Sequence, residues 1–200
     1  MSQIRRICVY CGSGPGRDPA FAAAARKLGQ AMAKNGIGLV YGGGSVGLMG
    51  EVANAVLDNG GEVTGIIPEF LANREHMMRR GNIIRTRDMH ERKQLMFDHA
   101  DAFVALPGGV GTLEELVEQM TWAQLGRHRK PILLANIKGF WDPLSRLFEH
   151  MGQMEFIHSA NLFKYYVADA IEDVLPMLMK AATEIAETQK AMAPEVAGRL

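Results

Sequence analysis

The chain has 200 residues, 48% apolar and 22% charged, and its 22 Lys+Arg balance 22 Asp+Glu to a net charge of zero. This length and composition suit one compact soluble domain with a full core and exclude disordered, collagen-like and coiled-coil chains. The lack of a basic excess argues against nucleic acid as the main partner, and the two cysteines, Cys8 and Cys11, cannot build a disulfide framework.

In chain order, short β-rich runs alternate with longer helical patterns, the mark of βαβ units around a parallel sheet. Residues 5–10 predict a first strand. A helix follows with Asp18 as N-cap and Pro19 at its first position, ending near Asn35-Gly36. A strand over 37–41, a helix over 46–58 closed by Asn59-Gly60-Gly61, and a strand over 62–67 stopped by Pro68 come next. Residues 69–81 read as a basic loop or short helix, 82–86 as a strand, 88–99 as a helix, 101–106 as a strand and 112–125 as a helix. A strand over 131–137, a helix from Asp142 to about Met151 and a short strand closed by Val167 precede a last helix from Asp169 to about Glu187. Methionines such as Met177 and Met179 are expected to pack in the core or at an interface. The reading is a single Rossmann-like doubly wound α/β domain over residues 1–187, a mainly parallel sheet flanked by helices, with 188–200 as a frayed tail. No apolar run nears the roughly 18–20 residues of a membrane span, and no signal peptide is seen. A cytoplasmic protein without membrane contact is the expectation.

Glycine is the compositional signal, 22 of 200 residues against a usual share of about 7%. Three predicted strands run into glycine-rich turns: Cys11-Gly12-Ser13-Gly14, Gly42-Gly43-Gly44-Ser45-Val46-Gly47, and Pro107-Gly108-Gly109-Val110-Gly111-Thr112. In a parallel sheet these share one edge, where glycine admits close backbone approach and N–H groups at a helix start attract phosphate. One such turn is ordinary; three on one edge favour a phosphate-bearing ligand. No GxxxxGK[ST] occurs, which excludes a Walker-type NTPase. Gly42, Gly44 and Gly47 match G-x-G-x-x-G, yet the acidic residue wanted at the end of the next strand is missing: Glu62 starts that strand and Glu69 lies beyond Pro68.

Thr112 and Glu115 have the T-x-x-E spacing of a capping box, so Glu115 is read either as a helix cap or as a carboxylate beside the phosphate pocket. Arg92 and Lys93, in Met89-His90-Glu91-Arg92-Lys93, are either a solvated basic pair or anion-site residues at the same sheet edge. Cys8-x-x-Cys11 reads as packing, since no second pair completes a zinc site, and the histidines show no metal spacing. No metal or cofactor is expected, and the pattern of a cofactor-binding lysine is missing, which argues against a lysine decarboxylase.

These residues resemble the Lonely Guy (LOG) family of cytokinin-activating phosphoribohydrolases. The family's P-G-G-x-G-T-x-x-E is matched in full by Pro107 to Glu115, and Met89 to Lys93 resembles its M-H-x-R-K block. Cys8 to Ser13, Tyr41 to Gly44 with Val46 to Gly50, and Thr121 to Gly126 are also similar; the resemblance spans roughly residues 5–180. It implies hydrolysis of the N-glycosidic bond of nucleoside 5′-monophosphates, AMP or a cytokinin riboside monophosphate, to free base and ribose 5-phosphate. It implies Arg92 and Glu115 as catalytic residues. Gly12, Ser13, Gly43, Gly44, Arg74, Glu75, Lys93, Gly108, Gly109, Val110, Gly111, Thr112, Leu113, Glu114 and Thr121 then bind the nucleotide. Val110 stands at the wild-card position, where many plant members carry tyrosine. The resemblance further implies a homodimer with the site near the interface, for which the apolar stretch 116–125 is suited. The alternative is a non-catalytic nucleotide or molybdenum-cofactor carrier on the same fold, which need not keep both Arg92 and Glu115.

Overall fold

The computed structural model describes residues 4–72, 76–157 and 164–192. Seven strands, β1 (Arg6–Tyr10), β2 (Gly38–Tyr41), β3 (Val63–Pro68), β4 (Asn82–Thr86), β5 (Ala102–Ala105), β6 (Ile132–Ala135) and β7 (Tyr166–Ala168), form one sheet in the order β4-β3-β2-β1-β5-β6-β7. Every neighbouring pair is parallel, so the sheet expected to be mainly parallel is parallel throughout. The helices are α1 (Pro19–Lys34), α2 (Gly47–Asp58), the single turn α3 (Glu69–Ala72), α4 (Met89–Asp98), α5 (Val110–Gln124), α6 (Asp142–Gln153) and α7 (Val174–Met192). None of the described helices is long and apolar enough to cross a membrane.

The central strands are near-continuous apolar runs because both faces of the sheet are covered. Ile7, Val9, Leu39 and Val104 face a layer holding Leu28, Met32, Val52 and Leu178. Cys8, Tyr10, Val40 and Phe103 point the other way, toward Met96, Leu116, Met120 and Trp141. Each fully buried Leu, Ile or Met side chain in these layers stabilises the fold by about 1.5–3 kcal/mol. Helix α1 begins as its sequence predicts: the Asp18 carboxylate accepts from Ala20 N–H at 2.8 Å and Pro19 occupies the first turn.

Two helix boundaries differ from expectation. Helix α5 starts at Val110 with Gly109 as its N-cap, in extended geometry (φ −90°, ψ −160°) and without a side-chain cap bond. Thr112 therefore lies inside the first turn, and of the two readings of Glu115 the Thr112–Glu115 capping box is not the one realised. The low helix propensity of Gly109 and Gly111 disguised the start. Helix α7 begins at Val174, after a 3-10 turn over Ile171–Asp173, and reaches Met192. Its Pro176 sits in the first turn, where the lost N–H costs nothing. Residues 193–200 of the expected tail lie outside the described residues. Of the two methionines expected in the core or at an interface, Met177 packs against the core and Met179 is 39% exposed on this chain.

The sheet order reverses at β1, which has β2 on one side and β5 on the other. The crevice beyond the carboxyl ends of β1 and β5 is where ligands bind in such sheets.

His128, 8% exposed, anchors the far end of the sheet. Its Nε2 donates to the Gln119 carbonyl at 3.1 Å and its Nδ1 accepts from Lys130 N–H at 3.1 Å, which defines a neutral ring. Burial, helped by the Lys130 and Arg127 charges and opposed by the Gln119 bond, holds its pKa below the ordinary value. The unfolded chain then takes up a proton that the folded chain refuses once the pH drops below about 6.5, so stability falls with acid. The melting temperature is expected to decrease between about pH 7 and pH 5.5, and to decrease less in His128→Asn. An equal decrease in both proteins would contradict this assignment.

Candidate active site

Beyond β1 and β5 lies a cavity of about 280 Å³ lined by Val9, Cys11, Gly12, Ser13, Gly42, Met49, Arg92, Gly109, Val110, Gly111, Thr112 and Glu115. All three glycine turns reach it, but they do different work. The first and third form its walls. Gly12 N–H donates to the Pro107 carbonyl at 3.1 Å, joining them. The second turn mainly braces the first: Leu48 and Met49 N–H donate to the Gly12 carbonyl at 3.1 and 3.3 Å, so the α2 N-terminus is spent on protein. Gly47 permits this contact, since it has φ +60° and a Cβ there would strike the Ser13 carbonyl. The α5 N-terminus is different. Its first-turn N–H groups have no partner inside the helix, and Gly109 to Thr112 line the cavity. This end favours an anion.

Arg92 enters from α4 and Glu115 from α5. Arg92 is 7% and Glu115 8% exposed, with Arg92 Nη2 at 3.3 Å from Glu115 Oε1. Arg92 Nε also donates to the Ile66 carbonyl at 3.2 Å, and Nη1 lies 3.7 Å from Met89 Sδ. The first turn of α4 is set by a side-chain cap from Asp88. Asp88 accepts from Glu91 N–H at 2.8 Å, while Glu91 accepts from Arg87 N–H at 2.9 Å. The hydrogen bond from Glu91 N–H holds the Asp88 carboxyl below its usual pKa. Gly42 completes the fit, because a side chain there would collide with the Arg92 guanidinium.

Both cysteines are buried and free. Burial, then the Glu115 charge, pushes the Cys8 and Cys11 thiols up, and burial followed by the charges of Cys8 and Glu115 does the same to the Tyr10 phenol. These groups stay protonated at neutral pH, and the ion pair among the residues lining the cavity is Arg92–Glu115. The arrangement provides phosphate-seeking N–H groups, a fixed guanidinium and a desolvated carboxylate around one small space.

Of the residues expected here, the structure brings together Gly12, Ser13, Arg92, Gly109, Val110, Gly111, Thr112 and Glu115. Gly108 lies behind the third turn, in a neighbouring apolar recess with Phe21, Leu48 and Phe140. Gly43 and Gly44 turn toward the segment 76–78: the Gly43 carbonyl accepts from Met78 N–H at 2.9 Å, and Gly44 bridges Met77. Leu113 and Glu114 are exposed beside the mouth, and Lys93 is bound by carboxylates outside the cavity. Thr121 is exposed further along α5, its hydroxyl donating to the Val117 carbonyl at 2.8 Å. Arg74 and Glu75 lie outside the described residues. Val9, Cys11, Gly42 and Met49 also line the cavity although they were not among the residues assigned to it from sequence; Cys11 and Gly42 open the first two glycine turns. Glu69, the acidic residue beyond Pro68, is paired with Arg85 at 2.8 Å.

A doubly wound parallel sheet whose strand order reverses at β1, with a helix start opening on the crevice there, defines a Rossmann-like class of protein. The family model described as "possible lysine decarboxylase" matches residues 49–178. The cytokinin riboside 5′-monophosphate phosphoribohydrolase LOG of Oryza sativa subsp. japonica is 55% identical over 143 residues, 71% of this chain and 59% of that protein. A second rice relative, LOG4, is 46% identical over 182 residues, 90% of this chain and 78% of the relative. Among solved structures, the Moco carrier protein of Chlamydomonas reinhardtii superposes with a TM-score of 0.69 at 20% identity, covering 91% of this chain and 99% of the carrier, a likeness of fold. The chain belongs to the LOG family.

Gly42→Ala is expected to break the Arg92–Glu115 contact while the sheet persists, as read from a crystal structure and a melting curve. A guanidinium that stays in place would contradict the close fit at Gly42.

Proposed function

We propose that the protein hydrolyses the N-glycosidic bond of nucleoside 5′-monophosphates, with AMP or a cytokinin riboside 5′-monophosphate as substrate. The family relationship supports this reading, and the observation that carries it is the buried Arg92–Glu115 pair, 3.3 Å apart, beside the open N-terminus of α5. The substrate phosphate lies against the N–H groups of Gly109 to Thr112, with the Gly12-Ser13 turn opposite. The ribose is thereby held with its anomeric carbon toward Glu115.

As the C–N bond breaks, its electron pair leaves with the base and positive charge grows on the sugar. A carboxylate fixed in a desolvated cavity stabilises that charge without reorganising. Water adds to the anomeric carbon through its oxygen, and the proton it releases balances the one taken up by the departing base, giving ribose 5-phosphate and free base. Arg92 orients the nucleotide and favours departure of the base; its planar fork, locked by Ile66 and Glu115, suits that role better than a lysine would. A pure carrier on this fold would have no need of a buried ion pair, whose desolvation is costly.

The same reading includes a homodimer with the site near its interface. Thr121, a nucleotide-binding position in the resemblance, stands on the exposed side of α5 away from the cavity, and Leu125 beside it is 76% exposed. A second chain packed on this side of α5 reconciles both. Light scattering at micromolar concentration is expected to give twice the chain mass; a monomer would count against the dimer. A cytoplasmic location completes the proposal.

The wild-type protein is expected to release adenine from AMP. Glu115→Gln keeps an acceptor for Arg92 but loses the charge, so turnover should fall by about 10²–10³ with the fold intact. Arg92→Lys should also suppress turnover, and Glu114→Gln should do so less. Near wild-type turnover in Glu115→Gln would overturn the catalytic role of its carboxylate.

A further inference from the structure

A second cavity, of about 320 Å³, lies at the opposite edge of the sheet from the catalytic pair. It opens at the amino ends of β6 and β7, between the last turn of α5 and the C-terminal half of α7. A cavity of that size accepts a one- or two-ring molecule. Ala123, Pro131, Tyr166 and Ile185 give it mostly apolar walls, and its charged lining sets Arg129, Lys130 and Lys164 against Glu184. The active cavity, by contrast, sets one guanidinium against one carboxylate.

Two of these cations are weakly compensated. Lys130 Nζ donates to the Phe97 carbonyl at 2.7 Å and lies 3.8 Å from the centroid of the Phe97 ring, so its close partners are neutral. Burial pulls the Lys130 pKa down, and the more distant Asp101 and Asp98 charges oppose this only in part. An anion brought beside that ammonium replaces solvation it has lost. Lys164 has a carboxylate, Glu184, at 3.2 Å, but the two side chains are 68% and 44% exposed. An ion pair so open to water is weak and screened by salt, so a ligand can share the ammonium at little cost. Lys164 Nζ also stands 5.0 Å from the centroid of the Tyr166 ring, within range of a cation–π contact at the cavity wall.

The lining therefore joins a cationic rim to an apolar body. We propose that this cavity is a binding site, separate from the active site, for a small amphipathic anion: an aromatic carboxylate. Its ring packs on Ala123, Pro131 and Ile185 while its carboxylate engages Lys164 and Lys130. An inorganic anion would leave the apolar walls uncovered, and a neutral ring would leave the cations uncompensated. An occupant would also touch the residues that hold both catalytic helices. Lys130 binds the Phe97 carbonyl of α4, and His128, which lines the same cavity, binds the Gln119 carbonyl of α5. Binding at this edge does not depend on the hydrolase reading and is measured without turnover.

The probe is 2-naphthoate, titrated into the protein by calorimetry, with 2-naphthylmethanol as a neutral ring and inorganic phosphate as a charge without a ring. Naphthoate is expected to bind once per chain with a dissociation constant below about 1 mM. Both comparison compounds should bind at least about tenfold more weakly. Lys164→Gln, on an exposed side chain, should weaken naphthoate by about tenfold with an unchanged melting temperature. Ile185→Glu, which puts a carboxylate on the apolar wall, should abolish binding, with the melting temperature again checking the fold. Excess ribose 5-phosphate should leave the naphthoate titration as it was. A crystal structure of the complex should place the naphthoate carboxylate beside Lys164. No binding in the millimolar range would overturn the proposal, as would equal affinity for the neutral alcohol. Unaltered affinity in Lys164→Gln, or displacement of naphthoate by ribose 5-phosphate, would also overturn it.

Discussion

Burying a guanidinium and a carboxylate together costs several kcal/mol of desolvation per ion, and their attraction offsets this only with good geometry and further hydrogen bonds. The Arg92–Glu115 pair is that interaction here, and much of the local structure follows from it. Ile66 at the end of β3 gives its carbonyl to Arg92, and Gly42 at the end of β2 gives up a side chain so that the guanidinium fits. The first turn of α4 is capped by Asp88, which fixes the helix that carries Arg92. Removing one partner without a substitute would strand a buried charge, so the pair stands or falls as a unit.

The fold supplies the other half of the site through topology. A parallel sheet delivers every strand-to-helix turn to one edge, and the reversal of order at β1 opens a crevice there. Only some of the glycines at that edge line the cavity. The Gly12 carbonyl consumes the N–H groups that begin α2, whereas the α5 start remains turned to the cavity. Thus a chain with three similar turns presents one anion-seeking helix end, and the buried ion pair stands beside it.

Much of this was legible in the sequence, because some residues leave their local structure little choice. Asp18-Pro19 dictates the start of α1, and apolar runs such as 101–106 can only be strands covered on both faces. The three glycine turns located the edge. The start of α5 was obscured because Thr112 and Glu115 carry capping-box spacing while the true N-cap, Gly109, has no side chain to announce itself. The D-x-x-E of Asp88 and Glu91 had the same spacing and does form the cap of α4. The identity of charged partners was least legible. Adjacent Arg92 and Lys93 look alike in sequence, and only the packing of α4 on α5 sends one into the cavity and the other to Glu114 and Glu118.

The central claim is geometric: one nucleotide spans the α5 N-terminus and the Arg92–Glu115 pair. The most direct measurement is a crystal structure of the protein with ribose 5-phosphate bound. The phosphate should sit against the backbone N–H groups of Gly109 to Thr112, with the anomeric carbon facing the Glu115 carboxylate. A phosphate held elsewhere, or a sugar whose anomeric carbon points away from Glu115, would contradict the account.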